Sequence, residues 1–129
     1  MPVVLTFEEP SSFIMRAFDA VTYEEVRRAI EEMLADSRLC VGVTLFIDNR
    51  GVTSAPSTGE VALITNHFSE VFARGVTRVA LLSDSEEVHS VAKMFASFAS
   101  TVGADAKAFR EERKALEWLR GSSSKPASR

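Results

Sequence analysis

The sequence predicts an α/β domain built on a mixed, largely parallel sheet with helices packed against it. Two short and almost wholly apolar runs, residues 41–48 and 76–82, are typical of strands that are covered on both faces. Each run is followed by a segment in which apolar residues recur every three or four positions, as in an amphipathic helix. Strands that alternate with helices in this way are joined by crossover connections, so we expect them to run parallel.

The chain is predicted to begin with a β-hairpin and a helix. Two extended runs, Val3–Phe7 and Phe13–Phe18, are separated by a polar break at 8–12 that contains a proline. Thr22 and Glu25 then have the spacing of a capping box, which predicts that a helix begins after Thr22. The apolar stripe of this helix comprises Tyr23, Val26, Ile30, Met33 and Leu34.

Residues 41–48 are predicted to form the central strand, and residues 49–58 a loop, because the latter contain glycine, proline and hydroxylated residues without periodicity. Ser57 and Glu60 form a second capping box, and Gly75 is expected to end the helix that follows. The stripe of this second helix comprises Val61, Ile64, Phe68, Val71 and Phe72.

Four further elements complete the predicted order ββαβαβαβα. They are a strand at 76–82, a third helix capped within 83–85 and closed by Gly103, a short strand at Ala106–Phe109 and a final helix at Arg110–Leu119. We expect residues 1–120 to form a single domain and residues 121–129 a disordered tail, because the tail has almost nothing to bury. Trp118, the only tryptophan, is expected among the larger buried side chains.

The composition narrows the kinds of partner. The chain has 129 residues, 46% of them apolar, and 15 Lys and Arg against 18 Asp and Glu, so it lacks the basic bias of a dedicated nucleic-acid binder. No apolar run approaches the roughly 20 residues that span a bilayer, and no secretory signal is evident, so a cytoplasmic location without membrane insertion is expected. Cys40, the only cysteine, is expected to be a packing thiol.

No motif indicates catalysis, a cofactor or a metal. His67 and His89 lie on different predicted helices and have no second ligand at metal-binding spacing. Adjacent glutamates in the helices point in different directions, and the sequence has no glycine-rich phosphate loop, Walker lysine or nucleophile elbow. We therefore expect a protein that is not an enzyme and binds neither a cofactor nor a metal.

Several segments resemble the STAS and SpoIIAA-like superfamily over residues 3–120. They are the central strand ending in FIDNRGV, the strand VTRVALLSD and the closing segment KAFREERKALEWL. In the closing segment, Phe109, Ala115, Trp118 and Leu119 look like the "F...eAl.WL" ending that is common in bacterial SpoIIAA-like proteins. The resemblance implies a SpoIIAA-like (STAS) fold and a regulatory module that binds a protein partner.

The same resemblance implies a switch in the loop before the second helix. In the anti-anti-sigma branch of the family, this loop carries Asp-Ser-Ser-Gly, and a partner kinase phosphorylates the second serine to abolish binding. Here Ser57 takes the place of the first serine, Thr58 that of the phosphorylated serine, and Gly59 is kept. Pro56 replaces the aspartate and supplies neither its charge nor its hydrogen bonds.

The residues themselves support two interpretations of this region. In open α/β sheets ligands bind beyond the carboxyl ends of the strands, so the loops 48–58 and 83–86 should share one edge of the sheet. Helix N-termini at that edge would favour an anion or a phosphorylated hydroxyl near Asp48, Ser57, Thr58 and Gly59. The same residue types also serve as ordinary helix caps and as a strand-end turn residue.

An alternative function is the transport or sensing of a small apolar, lipid-like ligand. SpoIIAA-like folds look similar to lipid-binding Sec14-type modules, so a groove between the second and third helices is a second candidate site. Its residues are expected mostly to belong to an ordinary core, because a domain of this size needs such side chains to close its core. A homodimer is also left open. The candidate groove residues are Phe68, Phe72, Met94, Phe95 and Phe98.

Overall fold

The computed structural model describes residues 3–8, 10–54, 56–76 and 78–121. The strands are β1 (Val3–Glu8), β2 (Ser12–Ala17), β3 (Asp19–Ala20), β4 (Thr44–Asp48), β5 (Val52–Ser54), β6 (Arg78–Leu82) and β7 (Asp105–Phe109). The helices are α1 (Tyr23–Leu34), α2 (Thr58–Ala73), α3 (Glu86–Ser100) and α4 (Glu112–Leu119).

Five strands form the main sheet in the order β1-β2-β4-β6-β7. β1 and β2 pair antiparallel as the predicted hairpin, whereas β2, β4, β6 and β7 are parallel to their neighbours. The mixed, largely parallel sheet and the central position of β4 are therefore confirmed. The parallel arrangement also places the carboxyl ends of four strands on one edge of the sheet, which we call the rim.

The two faces of the sheet are covered differently. Leu45 and Ile47 of β4 belong to a large core with α1, α2 and α3, whereas Phe46 belongs to a smaller cluster with Ala115 and Leu119 of α4. This division follows from the alternation of side chains along a strand. Three helices thus cover one face, and the short α4 lies on the other.

The local signals for the helix starts are confirmed. Both capping boxes form, one between Thr22 and Glu25 and the other between Ser57 and Glu60. Ser85 caps α3 by accepting a hydrogen bond from the backbone N–H of Val88. Each cap satisfies backbone N–H groups that have no partner within the first helical turn.

The predicted start of the central strand is wrong by three residues. The chain turns through residues 40–43 before it enters β4 at Thr44, because Gly42 has a φ of +99° and its N–H donates to the carbonyl oxygen of Gly75 at 3.3 Å. Val41 is consequently 87% exposed. Cys40 is also exposed, so the expectation of a packing thiol is wrong.

The predicted loop at 49–58 contains a strand that the sequence did not reveal. β5 pairs with β3 in a small parallel sheet, extended by a hydrogen bond from the Asp19 N–H to the Gly51 carbonyl at 2.9 Å. Strands of two and three residues are too short to show a side-chain period. The first half of the loop is therefore tied to the segment that follows β2.

The bounds near the C-terminus also differ from the prediction. α4 begins at Glu112 rather than Arg110, and β7 begins at Asp105 rather than Ala106. β6 begins at Arg78 rather than at residue 76, and Thr77 lies outside the described residues. Of the predicted disordered tail, only Gly121 is described, and residues 122–129 lie outside the described part.

Trp118 is half-buried, so its expected place among the most buried side chains is wrong. Its ring packs against Phe109, with ring centroids 5.7 Å apart, and under the guanidinium of Arg78 at 5.0 Å. The side chains that α4 buries against the sheet are Ala115 and Leu119. The helix is thus anchored by two smaller residues, with the tryptophan at its margin.

Candidate functional site

The rim collects the N-termini of the helices in the described part of the chain, because each helix follows a strand that ends there. The loops after β4 and β6 meet at this edge, as expected: the N–H of Asn49 donates to the carbonyl oxygen of Leu82 at 2.7 Å. α1, α2 and α3 begin on one side of the sheet and α4 on the other.

Asp48 ends β4 and is 3% exposed. Its Oδ1 accepts hydrogen bonds from the backbone N–H and the Nε of Arg50 at 3.1 and 3.0 Å, and its Oδ2 accepts from Arg50 Nη2 at 2.8 Å. The Nε of Arg16 lies 3.4 Å from the same Oδ2. Burial raises the pKa of Asp48, but the hydrogen bonds from Arg50 outweigh it, and the net pKa lies below the ordinary value of 3.8.

Arg50 extends this network to α4, since its Nη1 lies 3.2 Å from Glu112 Oε1. Asp48 shares its face of the sheet with Phe46, which packs against α4, whereas α2 covers the opposite face. Among the described residues, no hydrogen bond or ion pair joins Asp48 to Ser57 or Thr58. The four residues predicted to form one site are therefore divided. Asp48 holds the start of the loop, whereas residues 57–59 form the N-terminus of α2 and do not bond to Asp48.

Two neighbouring hydroxyl groups lie at the start of α2: that of Ser57 is hydrogen-bonded as the helix cap, and that of Thr58 is accessible. Ser57 Oγ accepts the N–H of Glu60 at 3.3 Å, and Glu60 Oε1 accepts the N–H of Ser57 at 3.0 Å. Thr58 is the first helical residue and is exposed, as is Gly59. The Thr58 hydroxyl makes no hydrogen bond to the described residues, so it is the accessible group of the pair.

The N-terminal part of α2 has an unusual composition for an exposed helix face. Its exposed positions up to Asn66 are Thr58, Gly59, Ala62, Leu63 and Asn66, which we call the α2 face; the exposed positions beyond it are His67, Glu70 and Ala73. No residue of the α2 face is charged, and Leu63 is 52% exposed. By contrast, the exposed positions of α1 within its helical span are Glu24, Arg28, Glu31 and Glu32.

The α2 face was not predicted from the sequence, because only the stripe that faces the core was considered. A signal was present: no residue between Val61 and Phe68 is an Asp, Glu, Lys or Arg, whereas such charges normally fill the solvent side of an amphipathic helix. The network of Arg16, Arg50 and Glu112 was also missed, because its members are far apart in sequence.

The aromatic residues proposed for an apolar groove lie mainly in the core. The ring of Phe68 stacks on Phe72 at a centroid distance of 5.7 Å and meets Phe95 edge-on at 5.4 Å. These three side chains are buried, whereas Met94 and Phe98 are half-buried and pack against the core.

A small apolar cavity of about 90 Å³ lies between the sheet, α1, α2 and α3. Phe68 and Phe95 line it, but Phe72, Met94 and Phe98 do not. Asn49 and Pro56 contribute to its lining from the loop before α2, so the cavity reaches the rim.

The two histidines lie on separate helices. His67 contacts Tyr23 of α1, and His89 Nδ1 lies 3.5 Å from the hydroxyl of the buried Ser83. Burial, followed by the positive charges of Arg110 and Lys93, lowers the pKa of His89. Within the described ranges, no three His, Cys, Asp or Glu residues come together as a metal site. Nor does any described helix combine the length and apolarity required to cross a membrane.

Comparisons with known proteins agree with this architecture. Two solved structures share the SpoIIAA-like fold at 18% identity and a TM-score of 0.59. One is an uncharacterized protein from Shewanella loihica, with 91% of both chains covered. The other is the anti-sigma factor antagonist SpoIIAA in its unphosphorylated form, with 92% of this chain and 96% of that chain covered.

The SpoIIAA-like family model matches residues 13–120, and the chain belongs to this family. A search of curated proteins finds no match. The structural likeness at 18% identity establishes the fold alone.

Proposed function

We propose that this protein is a regulatory module that binds a partner protein through the α2 face and the loop at 49–57, and that it acts by binding rather than by catalysis. The observation that carries the proposal is the uncharged α2 face with its half-exposed Leu63. The centres of protein interfaces are depleted of charged residues, whereas ordinary exposed helix faces are rich in them.

The first part of the loop, residues 49–54, is held in place before a partner arrives. Arg50 ties the start of the loop to Asp48 and to Glu112 of α4, and β5 ties the middle of the loop to β3. Ordering a flexible loop on binding costs conformational entropy, and a loop that is already ordered avoids most of that cost. This arrangement supports the loop as part of a binding surface.

Phosphorylation of Thr58 is the proposed switch of this surface. Its hydroxyl is exposed at the first helical position, where the helix dipole favours a phosphate, so the modified protein keeps its fold. The same phosphate would place a charge of about −2 on the uncharged α2 face, and desolvating it would oppose binding. Ser57 is the poorer acceptor, since its hydroxyl already caps α2.

The test uses a partner captured by crosslinking in the native cells, then purified and titrated calorimetrically against variants. Leu63→Arg places a charge at the centre of the α2 face, and we expect binding to weaken by about a hundredfold or more. Ser90→Arg introduces the same side chain at an exposed position of α3 and should leave binding unchanged. Equal affinities for wild type and Leu63→Arg would refute the proposed surface.

The switch is tested in the same titration with two further variants. Thr58→Glu should weaken binding, because it mimics part of the phosphate charge, whereas Thr58→Ala should bind as the wild type does. If Thr58→Glu also binds as the wild type does, the switch is wrong even when the surface is right.

A second candidate function, a carrier of a small apolar ligand, is favoured by the cavity between the sheet and the helices. At about 90 Å³ the cavity is smaller than the roughly 150 Å³ void that admits benzene, so any ligand must be very small or must separate α2 from α3. Native mass spectrometry of protein from its own cells should then show a bound apolar molecule, and Ala92→Leu, which fills the cavity, should lose it. Empty wild-type protein would refute this function.

A further inference from the structure

The sheet face that carries α4 is only partly covered. α4 packs on β4, β6 and β7, which leaves the same face of β1 and β2 open in the described part of the chain. Val4, on this face, is 43% exposed, and Ile14 is half-buried. The open strip is two strands wide, about 10 Å at the usual strand spacing.

A groove of about 500 Å³ runs between this strip and α4, at the end of the sheet opposite the rim. Ile14 and Phe46 contribute apolar surface to its floor. Glu8 of β1 lies on one side of the groove, and Arg120, which follows α4, lies on the other. Both side chains are exposed, and neither forms an ion pair within the described residues.

We infer that this groove binds a second copy of the same chain about a twofold axis. When the twofold axis runs along the length of the groove, the rotation places the Glu8 side of one copy against the Arg120 side of the other. Glu8 of each copy then meets Arg120 of its partner copy. The open strips of the two copies, on which Val4 and Ile14 are accompanied by the polar Thr6 and Ser12, then face each other beside these ion pairs. A surface with opposite charges on its two sides is self-complementary in this way, as a twofold interface requires.

The charges also argue against other occupants. The groove is balanced between one carboxylate and one guanidinium, so a partner that carries a single sign of charge is attracted on one side and repelled on the other. A twofold copy matches both sides at once. Since the groove lies away from the rim, the dimer leaves the α2 face free, and this inference does not depend on the proposed function.

Analytical ultracentrifugation of the full chain over a range of concentrations measures the dimer directly. Wild type should dimerise, whereas Glu8→Arg and Arg120→Glu each turn two attractions across the axis into two repulsions and should weaken the homodimer about tenfold or more. An equimolar mixture of the two variants should recover the dimer, because one copy is then positive on both sides of the groove and the other negative on both.

The recovery on mixing distinguishes a lost interface from a damaged fold. Glu87→Arg, an equal charge reversal at an exposed position of α3, is the matched control and should dimerise as the wild type does. A monomeric wild type, single variants that dimerise normally, or a mixture that shows no recovery would each overturn the inference. A chain that dimerises only after deletion of 122–129 would also overturn it, since the groove would then belong to the chain's own terminal segment.

Discussion

Asp48→Asn should destabilise the protein by about 2 kcal/mol. The substitution keeps the shape of the side chain but turns one oxygen into an N–H donor that faces the donors of Arg50 and Arg16. Charge-assisted hydrogen bonds contribute about 1.5–3 kcal/mol each. We expect less than the sum of those lost, because the side chains of Arg50 and Arg16 are 42% and 59% exposed and regain water.

The effect should depend on pH in a defined direction. The pKa of Asp48 is lower in the folded protein than in the unfolded chain, so its stabilisation is fully present above the unfolded value near 3.8 and is lost as the pH falls through the folded value. The unfolding free energies of wild type and Asp48→Asn should therefore differ at pH 7 and converge in acid.

Urea unfolding at a series of pH values measures both effects. Asp105→Asn is a useful control, because Asp105 is exposed and its side chain forms no hydrogen bond or ion pair within the described residues, so we expect little change. A variant as stable as the wild type at pH 7, or a difference that persists unchanged in acid, would contradict the role assigned to Asp48.

Further stability predictions concern glycines and α4, and urea midpoints check them all. Gly75→Ala should cost about 3 kcal/mol or more, because Gly75 has a φ of +132° and a Cβ would lie 2.4 Å from the Cα of Val41; a small loss would show that this close approach is absent. Gly59→Ala, with open space around it in α2, should instead stabilise the fold by up to about 1 kcal/mol, and a loss would contradict the helical start at Thr58. Leu119→Ala should cost about 2–4 kcal/mol and more than Trp118→Ala, since Leu119 is buried and Trp118 is half-buried; the reverse order would mean that α4 packs through the tryptophan.

The parts of the fold that the sequence predicted are those set by neighbouring residues. The two capping boxes and the apolar stripes are local patterns, and they placed the starts of α1 and α2 correctly. The parts that it did not predict depend on contacts between distant segments. Val41 has the apolar, β-branched side chain that is typical of a strand. The turn at residues 40–43, which lies against Gly75, nevertheless keeps Val41 out of the sheet.

In the candidate site, too, local patterns were predicted from the sequence and contacts between distant segments were not. Ser57 and Thr58 were identified from the loop before α2, and their positions at the cap and the first helical residue follow from the local sequence. Asp48 was grouped with them because all three follow the central strand. The alternation of side chains along β4 places Asp48 on the other face, where it binds arginines from two separate segments.

Hydrogen exchange of the protein with and without its purified partner tests the proposed binding surface most directly. We expect the partner to slow exchange in the loop at 49–57 and the first two turns of α2, while the exposed amides of α4 and of the β1–β2 turn keep their rates. Protection confined to α4 or to the β1–β2 turn, with α2 unchanged, would contradict the assignment of partner binding to the α2 face.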